Sequence, residues 1–221
     1  GLVIPAAQAP LVSTLMMAST PARVAGVETL VATIAPRRDG KIDPVMLVGA
    51  RECQVDEVYA CGGSQAVAAM AYGTDTIAQV DKIVGPGNLY SQLAKREVFG
   101  VVDVDKIAGP SEILVIADEH ANPAYIAADL ISQAEHSEDC SAVLVTTSAS
   151  LAAAVQKRLA EQVAALPREG VIKASLSAYG GCLLVDDLTD AVALADEIAP
   201  EHAEVHTREA YQVATQLRNV G

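Results

Sequence analysis

The chain of 221 residues carries a formal net charge of −13, and 51% of it is hydrophobic. That charge excludes a nucleic-acid surface, which needs a basic stripe, and disfavours an anionic membrane. One Phe and no Trp argue against a stacking surface for RNA bases. Apolar runs are broken by charge or Gly before they reach membrane-spanning length, so a soluble chain is expected, long enough for one large α/β domain or two small ones.

Gly1 opens the chain with neither a basic lead nor a small-residue cleavage pattern, which reads as an excised or processed piece rather than a targeted one. From there, short β-branched runs alternate with longer Ala-rich ones. ETLVATIA is a strand and PVMLVGARE a helix; VDEVYAC is followed by SQAVAAMAYG, and VDKIVG by NLYSQLAKREVFG. After GPSEILVIADE come the helix ANPAYIAADLISQAEH, the strand SAVLVTTS, the helix LAAAVQKRLAEQVAAL, the strand GCLLVDD and the helix TDAVALADEIA. Continuous apolar strands with interleaved helices predict an α/β fold of parallel sheets covered on both faces. IAGPSE, around Gly109 and Pro110, punctuates the middle and divides the chain into domains 1–110 and 111–221. Cys53, Cys61, Cys140 and Cys182 form no C-x-x-C pair. Two of them sit in apolar strand-like runs that suit a small buried thiol, so reduced thiols and a cytoplasmic protein are expected.

Four motifs carry candidate chemistry. GPGN, Gly85 to Asn88, follows a strand and opens a helix, a setting in which backbone amides approach a phosphate, although a tight turn with an Asn cap explains it equally. CGGSQ, Cys61 to Gln65, repeats the arrangement one unit earlier, and two such turns at neighbouring strand ends would make a ligand crevice. In SQAEH, Gln133 and His136 share a helix face and could converge on one ion, or could be a solvated helix end. In PEHAEVHT, Glu201 and His202 are either an acid-base pair or part of a surface loop. His120 and His206 have weaker contexts and take no role.

Taken in order and at their separations, GLVIPAAQAPLVSTLMMASTPARVAGV, CGGSQAVAAMAYGT, VDKIVGPGN, AKREVFG, IAGPSEILVIADE, SQAEH and APEH strongly resemble histidinol dehydrogenase across essentially the whole chain. The resemblance implies two incomplete Rossmann-like domains, a homodimer, and a zinc- and NAD-dependent enzyme that oxidises the amino alcohol L-histidinol through its aldehyde to L-histidine. It implies that Gln65 and Asn88 contact NAD in the first domain. In the second, Ser111 would contact substrate, Gln133 and His136 would be zinc ligands beside the substrate, and Glu201 and His202 would be the acid-base pair, His202 also touching substrate.

The chain departs from the family where Val3 replaces an aromatic residue, where Pro5, Ala6 and Ala7 replace Pro-Gly-Gly, and where Ser137 replaces the Asp that commonly follows the zinc His. The first two departures predict weakened NAD binding that a Val3→Tyr change would restore. The family's N-terminal segment is missing, as are an Asp and a His that complete the zinc shell downstream of APEH, so the 221-residue piece alone is expected to be inactive. Two alternatives stand beside histidinol oxidation: a related zinc and NAD enzyme acting on another small polar alcohol such as a hydroxylated sulfonate, and a non-catalytic nucleotide-binding module.

Overall fold

The computed structural model describes residues 1–6 and 10–221; Ala7, one of the departures named above, lies outside the described residues. The chain forms two compact units, Gly1–Gly109 and Pro110–Gly221. Both are α/β with parallel strand pairing throughout, as the alternation of apolar runs predicts.

The first unit runs β1 (Leu2–Ile4), α1 (Val12–Val24), β2 (Val31–Ile34), α2 (Pro44–Glu52), β3 (Glu57–Tyr59), α3 (Gly63–Tyr72), β4 (Lys82–Ile83), α4 (Leu89–Val98) and β5 (Asp103–Val104). Its strands form a β1-β2-β3 ribbon and a β4-β5 pair. The Val3 N–H to Val84 C=O bond and the Val84 N–H to Gly1 C=O bond, both 2.8 Å, join them through a parallel bridge. The spatial order is therefore β3-β2-β1-β4-β5, and the winding reverses between β1 and β4, where open sheets leave a crevice beyond the carboxyl ends. The glycine turns after β3 and β4, expected from the sequence at neighbouring strand ends, are therefore not neighbours; β2 and β1 separate them, because α3 carries the chain from the outer strand back past the middle of the sheet.

Period-two alternation along β1 explains how both faces are covered. Leu2 and Ile4 pack with Ala32, Ile34, Leu15 of α1 and Met46 of α2, while Val3 packs on the opposite face with Val67 and Met70 of α3, Ile83 and Val98 of α4. Each such side chain stabilises the unit by about 1.5–3 kcal/mol. Val3 is only 3% exposed. The position read as a lost stacking surface is thus a core position, held inside by the helices over that face, and Ala6 is buried beside the other cluster.

The second unit runs β6 (Glu112–Ala117), α5 (Pro123–Ala134), β7 (Ser141–Thr146), α6 (Ala149–Val163), α7 (Glu169–Tyr179), β8 (Gly180–Leu184), α8 (Leu188–Ile198), β9 (His202–His206) and α9 (Ala210–Ala214). The sheet order is β8-β7-β6-β9. Ile113, Val115 and Ala117 face Ile126 and Leu130 of α5 and Leu151 and Val155 of α6; Leu114 and Ile116 face Ala191 and Ala195 of α8. Coverage fails at the β8 edge, where Cys182, Leu183 and Leu184 are exposed. Cys182 therefore does not have the buried strand position that its apolar run suggested, whereas Cys140, just before β7, is buried. All four cysteines are free. Among the described residues no helix is long and apolar enough to cross a membrane.

Candidate functional site

In the first unit, the Gly85–Asn88 turn leaves the carboxyl end of β4 beside β1, at the point where the winding reverses. Gly85 has φ +127°, and a Cβ there would meet the Val3 carbonyl oxygen at 2.3 Å, so the close approach of turn and strand demands glycine. Asn88 caps α4: its Oδ1 accepts from the Ser91 N–H at 3.1 Å. The cap orients the free first-turn amides of a ten-residue helix along the turn, an arrangement suited to an anionic group. At the other turn, Gly63 has φ +72° and starts α3, whose first turn exposes Gln65. Burial pushes the Cys61 thiol beside it up, so that thiol stays protonated near neutral pH.

In the second unit the candidates gather at the amino edge of the sheet. Ser111 immediately precedes β6, and its carbonyl accepts from the Ser141 N–H that starts β7, at 3.1 Å. Glu201 and His202 stand at the start of β9, with His202 in register with Ile113 of β6. The helix α8 delivers them there: its N-cap Asp187 accepts from Thr189 and Asp190 N–H groups at 2.7 and 3.0 Å, and Ala199, at φ +52°, turns the chain out of the helix. Residues adjacent in a strand point to opposite faces, yet at this strand end the Glu201 carboxylate lies 3.9 Å from His202 Nε2. Both side chains remain partly open to solvent, which a proton-transfer pair acting on a small molecule requires.

Gln133 and His136 also reach this edge, because α5 runs antiparallel to β6 and ends where β7 begins. Asn122 caps α5 through the Ala124 N–H at 2.9 Å and Pro123 fills its first position. The helix stops at Ala134, short of His136, which lies in the following turn with its N–H bonded to the Gln133 carbonyl at 3.1 Å. Gln133 is 5% exposed, and its side-chain amide makes only a long 3.9 Å contact to Cys140 Sγ. Among the described residues its side-chain carbonyl oxygen accepts no hydrogen bond. An oxygen so placed and the exposed imidazole of His136 fit a divalent ion in donor type and would supply two of its ligands.

A further cluster was not read from the sequence. His206 Nε2 lies 3.2 Å from both Asp129 of α5 and Glu204, two positions earlier on the same face of β9. Burial, then the neighbouring Glu204 carboxylate, raise the Asp129 pKa against the opposing pull of His206. Strand alternation pairs Glu204 with His206, but only the packing of α5 beside β9 brings Asp129 to them. At the opposite, carboxyl edge, Asp118 is buried and ties β6 to the end of β9 by accepting from the Arg208 N–H at 2.9 Å.

The comparisons with known proteins agree along the whole chain. The family model described as histidinol dehydrogenase matches residues 1–221. Histidinol dehydrogenases of Moorella thermoacetica and Nitrobacter winogradskyi are 49% and 50% identical over all of this chain, which covers 52% and 51% of them. A crystal structure of histidinol dehydrogenase from Elizabethkingia anophelis superposes with a TM-score of 0.95 at 36% identity, over 100% of this chain and 51% of that one. An NAD-dependent aldehyde dehydrogenase from Sinorhizobium meliloti, at 17% identity and a TM-score of 0.53 over 86% of this chain and 52% of its own, shares the fold alone. The chain spans about half the length of the curated relatives it matches. By a match that runs from its first residue to its last, the chain belongs to the histidinol dehydrogenase family.

Proposed function

We propose that the full-length protein is a zinc-requiring, NAD-dependent dehydrogenase that oxidises L-histidinol through the aldehyde to L-histidine, as a cytoplasmic homodimer. The reading rests on one observation: in a chain matched throughout by the family, Ser111, Gln133 with His136, and Glu201 with His202 all lie at the amino edge of one sheet. In this reading His202 would take the alcohol proton, and NAD, when bound, would accept the hydride. Glu201 then takes a proton from the water that adds to the aldehyde, so a second hydride can leave from the hydrate. The substrate hydroxyl or amine is held by Ser111. Gln133 and His136 would hold zinc, which when bound supplies a template that orients the substrate. Gln65 and Asn88 would contact NAD, which carries the redox chemistry while the protein supplies alignment.

The departures at Val3, Ala6 and Ala7 keep a second reading in view, a relative acting on another small polar alcohol. Steady-state rates of the zinc-loaded full-length enzyme with L-histidinol and with a hydroxylated sulfonate separate the two. Histidinol oxidation predicts the larger kcat/KM for L-histidinol; a larger value for the sulfonate replaces the proposal with the second reading, and no NAD reduction by either supports a non-catalytic module.

A further inference from the structure

Lys95 is the largest fully buried side chain among the described residues, 1% exposed in the middle of α4. An ammonium taken out of water is costly unless it is paired and hydrogen-bonded, and an apolar side chain of similar length would fill the same space without that cost. The geometry around it is specific. Its Nζ donates to Asp105 Oδ1 at 2.6 Å and also to the carbonyl of Gly85. The other carboxylate oxygen, Asp105 Oδ2, accepts from the Gly85 N–H at 2.8 Å. Lysine and aspartate together therefore hold both backbone polar groups of the one glycine that opens the Gly85–Asn88 turn.

The same helix face continues the contact. Gln92, one turn before Lys95 and 5% exposed, accepts from the Ala108 N–H at 3.0 Å and reaches toward the Gly87 carbonyl at 3.5 Å. The buried face of α4 is thus largely polar, carrying Ser91, Gln92 and Lys95 against the turn and the segment after β5. Burial pushes the Asp105 carboxyl up, but the Gly85 N–H, the Lys95 ammonium and the Lys106 N–H outweigh it and hold it below the usual range. The carboxylate is therefore ionised near neutral pH, and the grip on Gly85 is charge-assisted from both sides.

We propose that Lys95, with Asp105, is a positioning residue for the cofactor: the pair pre-sets the Gly85–Asn88 turn so that its amides and the start of α4 meet NAD without reorganisation. The inference rests on the reading that this turn contacts NAD. Lys95 touches neither substrate nor cofactor; it acts through Gly85.

The test uses zinc-loaded full-length protein. NAD binding to the wild type is measured first by calorimetry, and its absence there sinks the cofactor reading itself, independently of the clamp. Lys95→Met removes the charge at nearly constant length. The double variant Lys95→Met with Asp105→Leu removes both charges, so neither is left buried without its partner. Both should weaken NAD binding by a factor of about ten to a hundred, the scale of a misplaced binding element, while zinc content and KM for the alcohol stay within about twofold of wild type. A folded double variant that binds NAD as the wild type does overturns the proposal, as does an equal loss in NAD affinity, zinc content and alcohol KM, which marks general damage. Hydrogen exchange in the wild type needs no variant: the Gly85 amide should be protected without NAD, and exchange at the rate of an open loop would show that no clamp pre-exists.

Discussion

Gly85→Ala isolates the mechanical basis of the turn. The new methyl would sit 2.3 Å from the Val3 carbonyl oxygen, a backbone atom that cannot swing aside because Val3 is fixed by its N–H bond to Val84 and by the pairing of β1 with β2. Relief requires either parting β1 from β4 or rotating residue 85 away from φ +127°, and rotation withdraws its N–H from Asp105. Holding a non-glycine residue at such a φ costs about 1–3 kcal/mol. Losing a hydrogen bond to a charged group costs about 1.5–3 kcal/mol. Whichever route the variant takes, the loss of about 1–3 kcal/mol is a large part of the stability of a typical domain. Urea unfolding of the full-length protein, followed by circular dichroism, should show a loss of at least about 1 kcal/mol. An alanine variant within about 0.5 kcal/mol of wild type would refute the argument, since neither cost could then be present.

Other consequences follow from the same geometry. His136→Ala in the full-length protein should lose zinc or hold it far more weakly by metal analysis; unchanged stoichiometry and affinity would remove Gln133 and His136 from the ligand set. His202→Asn should slow alcohol oxidation and Glu201→Gln the aldehyde-to-acid step more, each by about 10²–10⁴-fold, read from separate assays with L-histidinol and with the aldehyde. Val3→Tyr forces a ring into a core position and should cost about 1–3 kcal/mol by urea unfolding without tightening NAD; tighter NAD binding would return Val3 to the crevice. Asp105 has a depressed pKa in the folded state, so its contribution is present above the ordinary carboxylate value and lost as pH falls through the folded one. Below about pH 4 the wild type should therefore lose stability more steeply than Asp105→Asn.

The fold class was legible because β-branched runs such as EILVIA and SAVLVT must be buried on both faces, and the Ala-rich runs between them have only those faces to cover. What the sequence concealed lies where that logic weakens. The edge strand β9, HAEVH, has one covered face and two apolar residues, Ala203 and Val205, so it reads as a loop. β4 and β5 are two residues each and carry too little pattern to register as a pair. Val3 looked like a surface position because its place in a resembling motif was read without the helices that close over it. The candidate residues themselves were visible as types and spacings, but not their gathering at one sheet edge, which depends on α5 ending where β7 starts and on β9 lying beside β6. Lys95 was hidden for a related reason: a lysine in AKREVFG reads as solvated until Asp105 and Gly85 are seen to enclose it.

The central claim is that this fold belongs to an enzyme that takes one alcohol all the way to the acid. It is tested most directly by incubating the zinc-loaded full-length protein with limiting L-histidinol and excess NAD, and counting NADH against L-histidine formed. Oxidation of an alcohol to a carboxylate removes four electrons, so the account predicts two NADH for each L-histidine and no lasting aldehyde. Absence of NADH, or one NADH per substrate with the aldehyde as final product, would contradict it.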